Sequence, residues 1–244
     1  LKMCDNARLE AIVNSVGKNY GHDQIKAQFY PFKELKSTWK RNGSQLSLRV
    51  SDYLRWADEQ VVEDYACSLF CRMKSKNRRE LYGEAFKNWI QSKEFVEKNR
   101  PIYLQRSRNL KLSSSGSTFN LDEIRYELEE SRLIKNSSDA YLTWTINGNR
   151  NRVGYCSVIM KVIAISSVLD SPSVPSIVPA YVLYHEMLHL EMNSEHFFTG
   201  HGSEFRRRER MFPKWNEAEL WLKKIAKERV TCGDTSFIRD VKTK

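Results

Sequence analysis

Along the first hundred residues the apolar positions change period several times. Over residues 3 to 16 and 22 to 40, apolar and charged residues alternate at roughly helical spacing, with Gly17, Gly21 and Gly43 as punctuation. Gln45 to Val50 (QLSLRV) switches to the two-residue period of a short strand, and Ser51 and Asp52 are candidate caps for the next helix. From Tyr53 to Met73 apolar residues recur every three or four positions, predicting a helix whose aromatic and leucine stripe is core. A basic connection, Lys74 to Arg79, leads to a second helix from about Glu80 to Lys98, with Leu81, Tyr82, Phe86, Trp89, Ile90 and Phe95 on its apolar face. Pro101 is expected to interrupt it, because proline has no N–H to continue the ladder.

Ser113 to Ser117 (SSSGS) reads as a linker and places a domain boundary between residues 1–115 and 116–230, with a tail at 231–244. Beyond it, Asn120 or Asp122 can cap a helix through Leu133. Ala140 to Ile146, Arg152 to Ile159 and Lys161 to Ser166 read as strands, with a turn at Asn147, Gly148 and Asn149 between the first two. Asp170 to Pro179 is a Ser/Pro-rich loop in which Ser173 with Pro175, or Ser176 with Pro179, starts a helix. A final helix sets Ala218, Leu220, Trp221, Leu222 and Ile225 against Lys223, Lys224 and Lys227. The expected fold class is α+β: a mainly helical chain with a small antiparallel sheet packed on the helix from Tyr181.

Composition narrows the class of protein. At 244 residues and 41% hydrophobic, the chain is long and apolar enough for a full core. No secretory signal core follows Leu1 and Lys2, and the longest apolar run, Val158 to Val168, is broken by Lys161, Ser166 and Ser167. No membrane-spanning segment or membrane partner is therefore expected. Five cysteines, Cys4, Cys67, Cys71, Cys156 and Cys232, lack framework spacing and suit a reducing cytoplasmic or nuclear compartment. Cys67 and Cys71 stand one helical turn apart, read as small core residues or as half of a metal site. The net charge is +10, and residues 1 to 120 hold 22 Lys and Arg against 13 Asp and Glu. That imbalance makes DNA or another polyanion a candidate partner of the first half. Tyr103 among Arg106, Arg108 and Lys111 and the run Arg206, Arg207, Arg208 and Arg210 are further candidate contacts, or else solvated faces.

The chemistry is concentrated between Tyr181 and Phe205, which hold three histidines in H-E-x-x-H and G-H-G settings plus His196. His185, Glu186 and His189 form the H-E-x-x-H. On a helix, residues four apart share a face, so the two imidazoles can close on one metal ion. Glu186 lies about 100° round the helix, where its carboxylate can take a proton from water beside the metal. Tyr181, Val182, Leu183, Tyr184, Met187, Leu188, Leu190 and Met192 make the helix apolar on nearly every side, so it belongs in a core. Core histidines hydrogen-bonded to carbonyls are the alternative to ligands.

A third ligand must come from farther along. The metzincin spacing fails, because its glycine and histidine positions are Met192 and Glu195. His201, between Gly200 and Gly202, can be turned back onto the helix; His196, Glu204 and Glu195 are the alternatives.

The order of parts over residues 116 to 225 resembles the SprT-like and YgjP-like zinc metallopeptidases. The matching pieces are Asn120-Leu121, Leu142-Thr143-Trp144, Gly154-Tyr155, Ile165-Ser166 before Leu169-Asp170, Tyr184 to His189, His201-Gly202-x-x-Phe205, Phe212-Pro213-x-Trp215 and Trp221-Leu222. The resemblance implies a zincin-like fold, Zn²⁺ held by His185, His189 and His201, and Glu186 as catalytic base. Some relatives digest proteins trapped on DNA, which makes nucleic-acid-associated proteins candidate substrates. Residues 1 to 115 carry no match, and no Cys-rich zinc ribbon accompanies the motif. Three functions are expected on these grounds: a zinc peptidase, a polyanion-binding module on the same scaffold, or a metal-free scaffold. Tyr155, Tyr184 and the basic residues after His201 are candidates to stabilise an oxyanion.

Overall fold

The computed structural model describes residues 3–74, 82–135, 139–192 and 201–227. The chain divides into two compact units, and the main division falls between Arg108 and Asn109, ahead of the expected 115/116 boundary. The first unit opens with α1, Asn6–Lys18, whose N-cap Asp5 accepts a hydrogen bond from the Arg8 amide at 2.8 Å. Leu9, Ile12, Val13 and Val16 form its buried stripe.

Residues 22 to 40 are not helical, contrary to the spacing argument. They form β1 (Gln24–Tyr30) and β2 (Ser37–Asn42), followed by β3 (Gln45–Ser51), so the N-terminal region is α+β rather than mainly helical. In β1 Ile25, Ala27 and Phe29 are buried while Lys26, Gln28 and Tyr30 are exposed, a two-residue period that residues 31 to 36 obscure when the window runs to 40. β3 is central, parallel to β1 and antiparallel to β2. Three α1 side chains at four-residue spacing close the free edge of β1. Asn6 accepts from the Phe29 amide at 3.0 Å, Glu10 from Ala27 at 3.0 Å and Asn14 from Ile25 at 3.1 Å.

A 3-10 turn over Asp52–Trp56 precedes α2 (Glu59–Lys74), so the helix expected from Tyr53 starts later. The single helix expected over 80 to 98 is two, α3 (Glu84–Gln91) and α4 (Lys93–Arg106). Ser92 divides them, its hydroxyl accepting from the Phe95 amide at 3.1 Å. Pro101 lies inside α4 instead of interrupting it. An interior proline costs about 3 kcal/mol, and burial of Phe95, Val96 and Tyr103 outweighs that at about 1.5–3 kcal/mol per large apolar side chain. Tyr103 is fully buried, and Arg106 makes a two-pronged ion pair with Asp52 at 2.8 and 2.6 Å, so these two members of the aromatic-basic stretch serve the fold, while Arg108 and Lys111 are exposed. Most of the basic connection at 74–79 and the tail lie outside the described residues.

The second unit begins at Asn109. Its Ser113–Ser117 stretch is tied down, with the Ser113 and Ser114 carbonyls accepting from the Trp144 and Leu121 amides and the Trp144 indole donating to Ser114 at 2.9 Å. α5 (Leu121–Glu130) starts at Asn120, whose side chain accepts from the Asp122 amide. β4 (Tyr141–Trp144), β5 (Gly154–Ser157) and β6 (Val162–Ile165) form a sheet in the order β4-β6-β5. The short connection makes β5 and β6 antiparallel. β6 is buried throughout, and the fully buried Trp144 belongs to the same core.

Three helices complete the unit: α6 (Ile177–Met192), α7 (Ser203–Glu209) and α8 (Trp215–Lys227). The loop ahead of α6 is anchored by Asp170. Its carboxylate accepts from the Ser117, Thr118 and Phe119 amides at 2.5, 2.8 and 3.1 Å. Burial alone would raise the pKa of Asp170, but these amides outweigh it and hold the carboxyl below its usual range. No helix among the described residues is long and apolar enough to cross a membrane.

Candidate metal centre

α6 carries the motif in its second half, and ten of its sixteen residues are buried. His189 and Glu186 are among them, at 4% and 7% exposed, so their polar atoms must be satisfied inside the fold. The helix turns His185 and His189 to one side, with ring centroids 5.0 Å apart. His201 arrives just ahead of α7. Its Nε2 lies 3.3 Å from His185 Nε2 and 3.2 Å from His189 Nε2, and the ligand atoms of all three lie within 4.8 Å of one another.

Phe205, 1% exposed, sets this convergence. Its ring centroid lies 5.2, 4.7 and 4.7 Å from those of His185, His189 and His201, making one apolar wall for all three imidazoles. Further ties hold α7 to α6. Tyr184 donates to the Arg208 carbonyl at 2.5 Å, and Arg208 pairs with the nearly buried Glu191 carboxylate at 2.6 Å. Phe212, just beyond α7, packs against both Tyr181 and Tyr184 at 5.4 Å.

The spacing fits a metal. Nitrogens around a tetrahedral zinc, with bonds of about 2.0–2.1 Å, stand about 3.3–3.4 Å apart. Their tautomers fit as well. Glu209 accepts a hydrogen bond from His185 Nδ1 at 2.6 Å, which turns the lone pair of a neutral His185 at Nε2 toward the other two rings. Tyr181 donates to Glu219 at 2.9 Å and lies 3.2 Å from Glu209, fixing these carboxylates in turn.

Electrostatics divide the rings. Burial opposes a charge on His185, but the Glu209 hydrogen bond, with help from Glu186 and Glu219, raises its pKa above the ordinary histidine value. His189 is pushed down to about 4 by burial and then by the neighbouring His185 and His201, and His201 is lowered by burial and His185. In their neutral forms the three imidazoles make a donor set for a cation, and the Glu209 hydrogen bond makes His185 the more basic donor. These residues could hold a metal ion with one position left open.

Glu186 stands on the adjoining face of α6. A Cβ at Gly154 would collide with its Oε1, so the glycine lets β5 pass directly over the carboxylate. Burial lifts the Glu186 pKa to about 7, against the lowering influence of His185 and Arg152. Cys156, two residues along the same face of β5, is kept a neutral thiol by burial and by Glu186.

Several sequence candidates fall elsewhere. Glu204 is engaged by Arg207 at 2.6 and 2.8 Å, and His196 and Glu195 lie outside the described residues. Tyr184 is buried and bonded to Arg208, and strand alternation turns Tyr155 to the sheet face opposite Gly154 and Glu186. The Tyr184 hydroxyl is thereby committed to the Arg208 carbonyl. In the arginine run, Arg207 pairs with Glu204, Arg208 with Glu191, and Arg210 lies 5.8 Å over the Trp215 ring. Cys67 and Cys71 are unbridged, and the Cys71 sulfur lies 3.1 Å from the Tyr20 hydroxyl. Glu209 and Tyr181 escape a sequence reading. The only trace of Glu209 is one acid inside a run of arginines, 24 residues from His185.

No family model, curated protein or solved structure matches this chain.

Proposed function

We propose that the chain is a zinc-dependent metallopeptidase of the SprT-like type, acting inside the cell on protein substrates. The observation that carries the proposal is the convergence of the His185, His189 and His201 Nε2 atoms, at 3.2–3.3 Å from His201, beside a buried glutamate. The family assignment rests on the order of motifs from Asn120 to Leu222. A zincin-like packing, with β5 laid across α6 at Glu186, accords with the contact at Gly154.

A zinc ion held by the three imidazoles would polarise the scissile carbonyl and acidify water at the open position. Glu186 would be the group that accepts a proton from water beside the site and delivers it to the departing amine. Burial raises its carboxyl above the usual carboxylate range, which favours its acting as a base that can also hold and return a proton. Glu209 holds His185 in the tautomer that presents Nε2, and Phe205 keeps water off one side of the cluster. Four unbridged cysteines among the described residues accord with a reducing cytoplasmic or nuclear setting.

Two variants test the assignment. Glu186→Gln should retain about one zinc per chain and lose casein or self-cleavage activity by several orders of magnitude. His201→Ala should lose the metal itself, as read by elemental analysis of the purified protein. A Glu186→Gln protein that still cleaves, or a wild type purified without zinc that takes up none, would overturn it.

A further inference from the structure

The first unit bears a surface that the peptidase proposal leaves unused. Residues 24 to 51 carry six Lys and Arg against one acidic residue, Glu34. The sheet they build buries Ile25, Ala27, Phe29, Leu46, Leu48 and Val50 on one side and turns its other face outward. Strand register organises that face. Lys26, Ser47 and Lys40 stand side by side across the three strands, and Gln28, Arg49 and Thr38 form the neighbouring row. These two rows line an open groove of about 570 Å³. Strands lie roughly 4.8 Å apart, so Lys26 and Lys40, two strands apart, are separated by roughly 10 Å.

Cations outnumber carboxylates on this face, with Lys26, Lys40 and Arg49 against Glu10. Among the described residues, no ion pair engages Lys26 or Lys40. The one carboxylate on the rim, Glu10, accepts the Ala27 amide at 3.0 Å. Aromatic surface adjoins the cations. Tyr30, 40% exposed, continues the outward face of β1, with the Arg49 guanidinium 5.1 Å over its ring and Phe32 at 4.8 Å. Trp39, in register with the buried Leu48, turns to the opposite face of the sheet and takes no part in the groove's outward rows.

We infer that this sheet face binds single-stranded nucleic acid, with Lys26, Lys40 and Arg49 on phosphates and the exposed Tyr30 ring as a stacking surface for a base. Cations spread along a groove match a chain of regularly repeating charges, whereas a single phosphorylated side chain calls for a compact arginine cluster. An exposed ring beside the phosphate track favours bases that are free to unstack, which a duplex does not offer. The inference is independent of the metal centre, since none of its residues belongs to the cluster.

Fluorescence anisotropy of a labelled 12-nucleotide oligo(dT) with the full chain tests it. Binding should weaken with salt at a log–log slope of about −2, from three phosphates at about −0.7 each. Lys26→Gln with Lys40→Gln should reduce that slope to about −0.7 and the affinity at least tenfold. Tyr30→Ala should lower affinity about fivefold or more with the slope unchanged, since stacking releases no counterions. The matched control Lys223→Gln with Lys224→Gln, on α8, should bind as the wild type does. Circular dichroism and an unchanged urea midpoint would establish that the exposed variants remain folded. Absence of oligo(dT) binding, tighter binding to the corresponding duplex, or an equal loss in the α8 control would each overturn the inference.

Discussion

At the residue scale, Glu209 supports the proposed centre from behind the histidines, because an imidazole that is to bind a metal must be held in one tautomer to offer its lone pair. Glu209→Gln keeps the shape but removes the charge that His185 Nδ1 addresses at 2.6 Å. Zinc affinity is expected to fall about 10- to 100-fold, the usual cost of losing such a partner. Competition with a chromophoric chelator measures it, and an unchanged affinity would remove Glu209 from the site. The sequence shows why this residue is hard to foresee. H-E-x-x-H is legible because spacing along one helix fixes three side chains relative to one another, whereas Glu209 reaches His185 through the docking of another helix.

Among the elements, the approach to α6 is set by a hydrogen-bonded corner. Asp170 links the loop before the helix to the Ser117–Phe119 backbone, so its charge state controls how firmly that loop is held. Its pKa is depressed in the folded chain. The contribution is therefore fully present above the unfolded value of about 3.9 and is lost as pH falls through the lower folded value. Asp170→Asn should destabilise the protein by about 1–2 kcal/mol at pH 7, after allowing for solvent screening, with the difference from wild type closing as pH falls below the ordinary aspartate range. Urea unfolding as a function of pH measures this, and a pH-independent difference would rule out the carboxylate as its source. The same corner explains why Ser113–Ser117 reads as a linker. Small polar residues are cheap in an open chain, yet here their carbonyls satisfy Trp144 and Leu121. Residues 22 to 40 show a related ambiguity. Ile25, Ala27 and Phe29 keep strand period, but that period is short enough to be absorbed into a longer helical one until β3 is present to pair with.

For the whole molecule, the proposed metal would be linked to stability. An ion bound only by the folded chain stabilises it by mass action, about 2.7 kcal/mol when free metal is 100 times its dissociation constant. Chelation should lower the urea midpoint of the wild type and leave His201→Ala where it was; equal shifts in both proteins would place the metal elsewhere. The sequence by itself determined the helix at Tyr181, the shared face of His185 and His189, and the neighbouring position of Glu186, because helical periodicity is a local property of the chain. It also marked the strands around Leu142, Tyr155 and Ile163 by their apolar, β-branched and aromatic runs. Only the tertiary structure decided that His201 rather than Glu204 meets the two helix histidines, that Phe205 walls the three rings, and that Glu209 and Tyr181 support them. Those outcomes depend on which surfaces dock, and docking is fixed by burial and hydrogen bonding between residues far apart in the chain, for which no periodicity exists to be read.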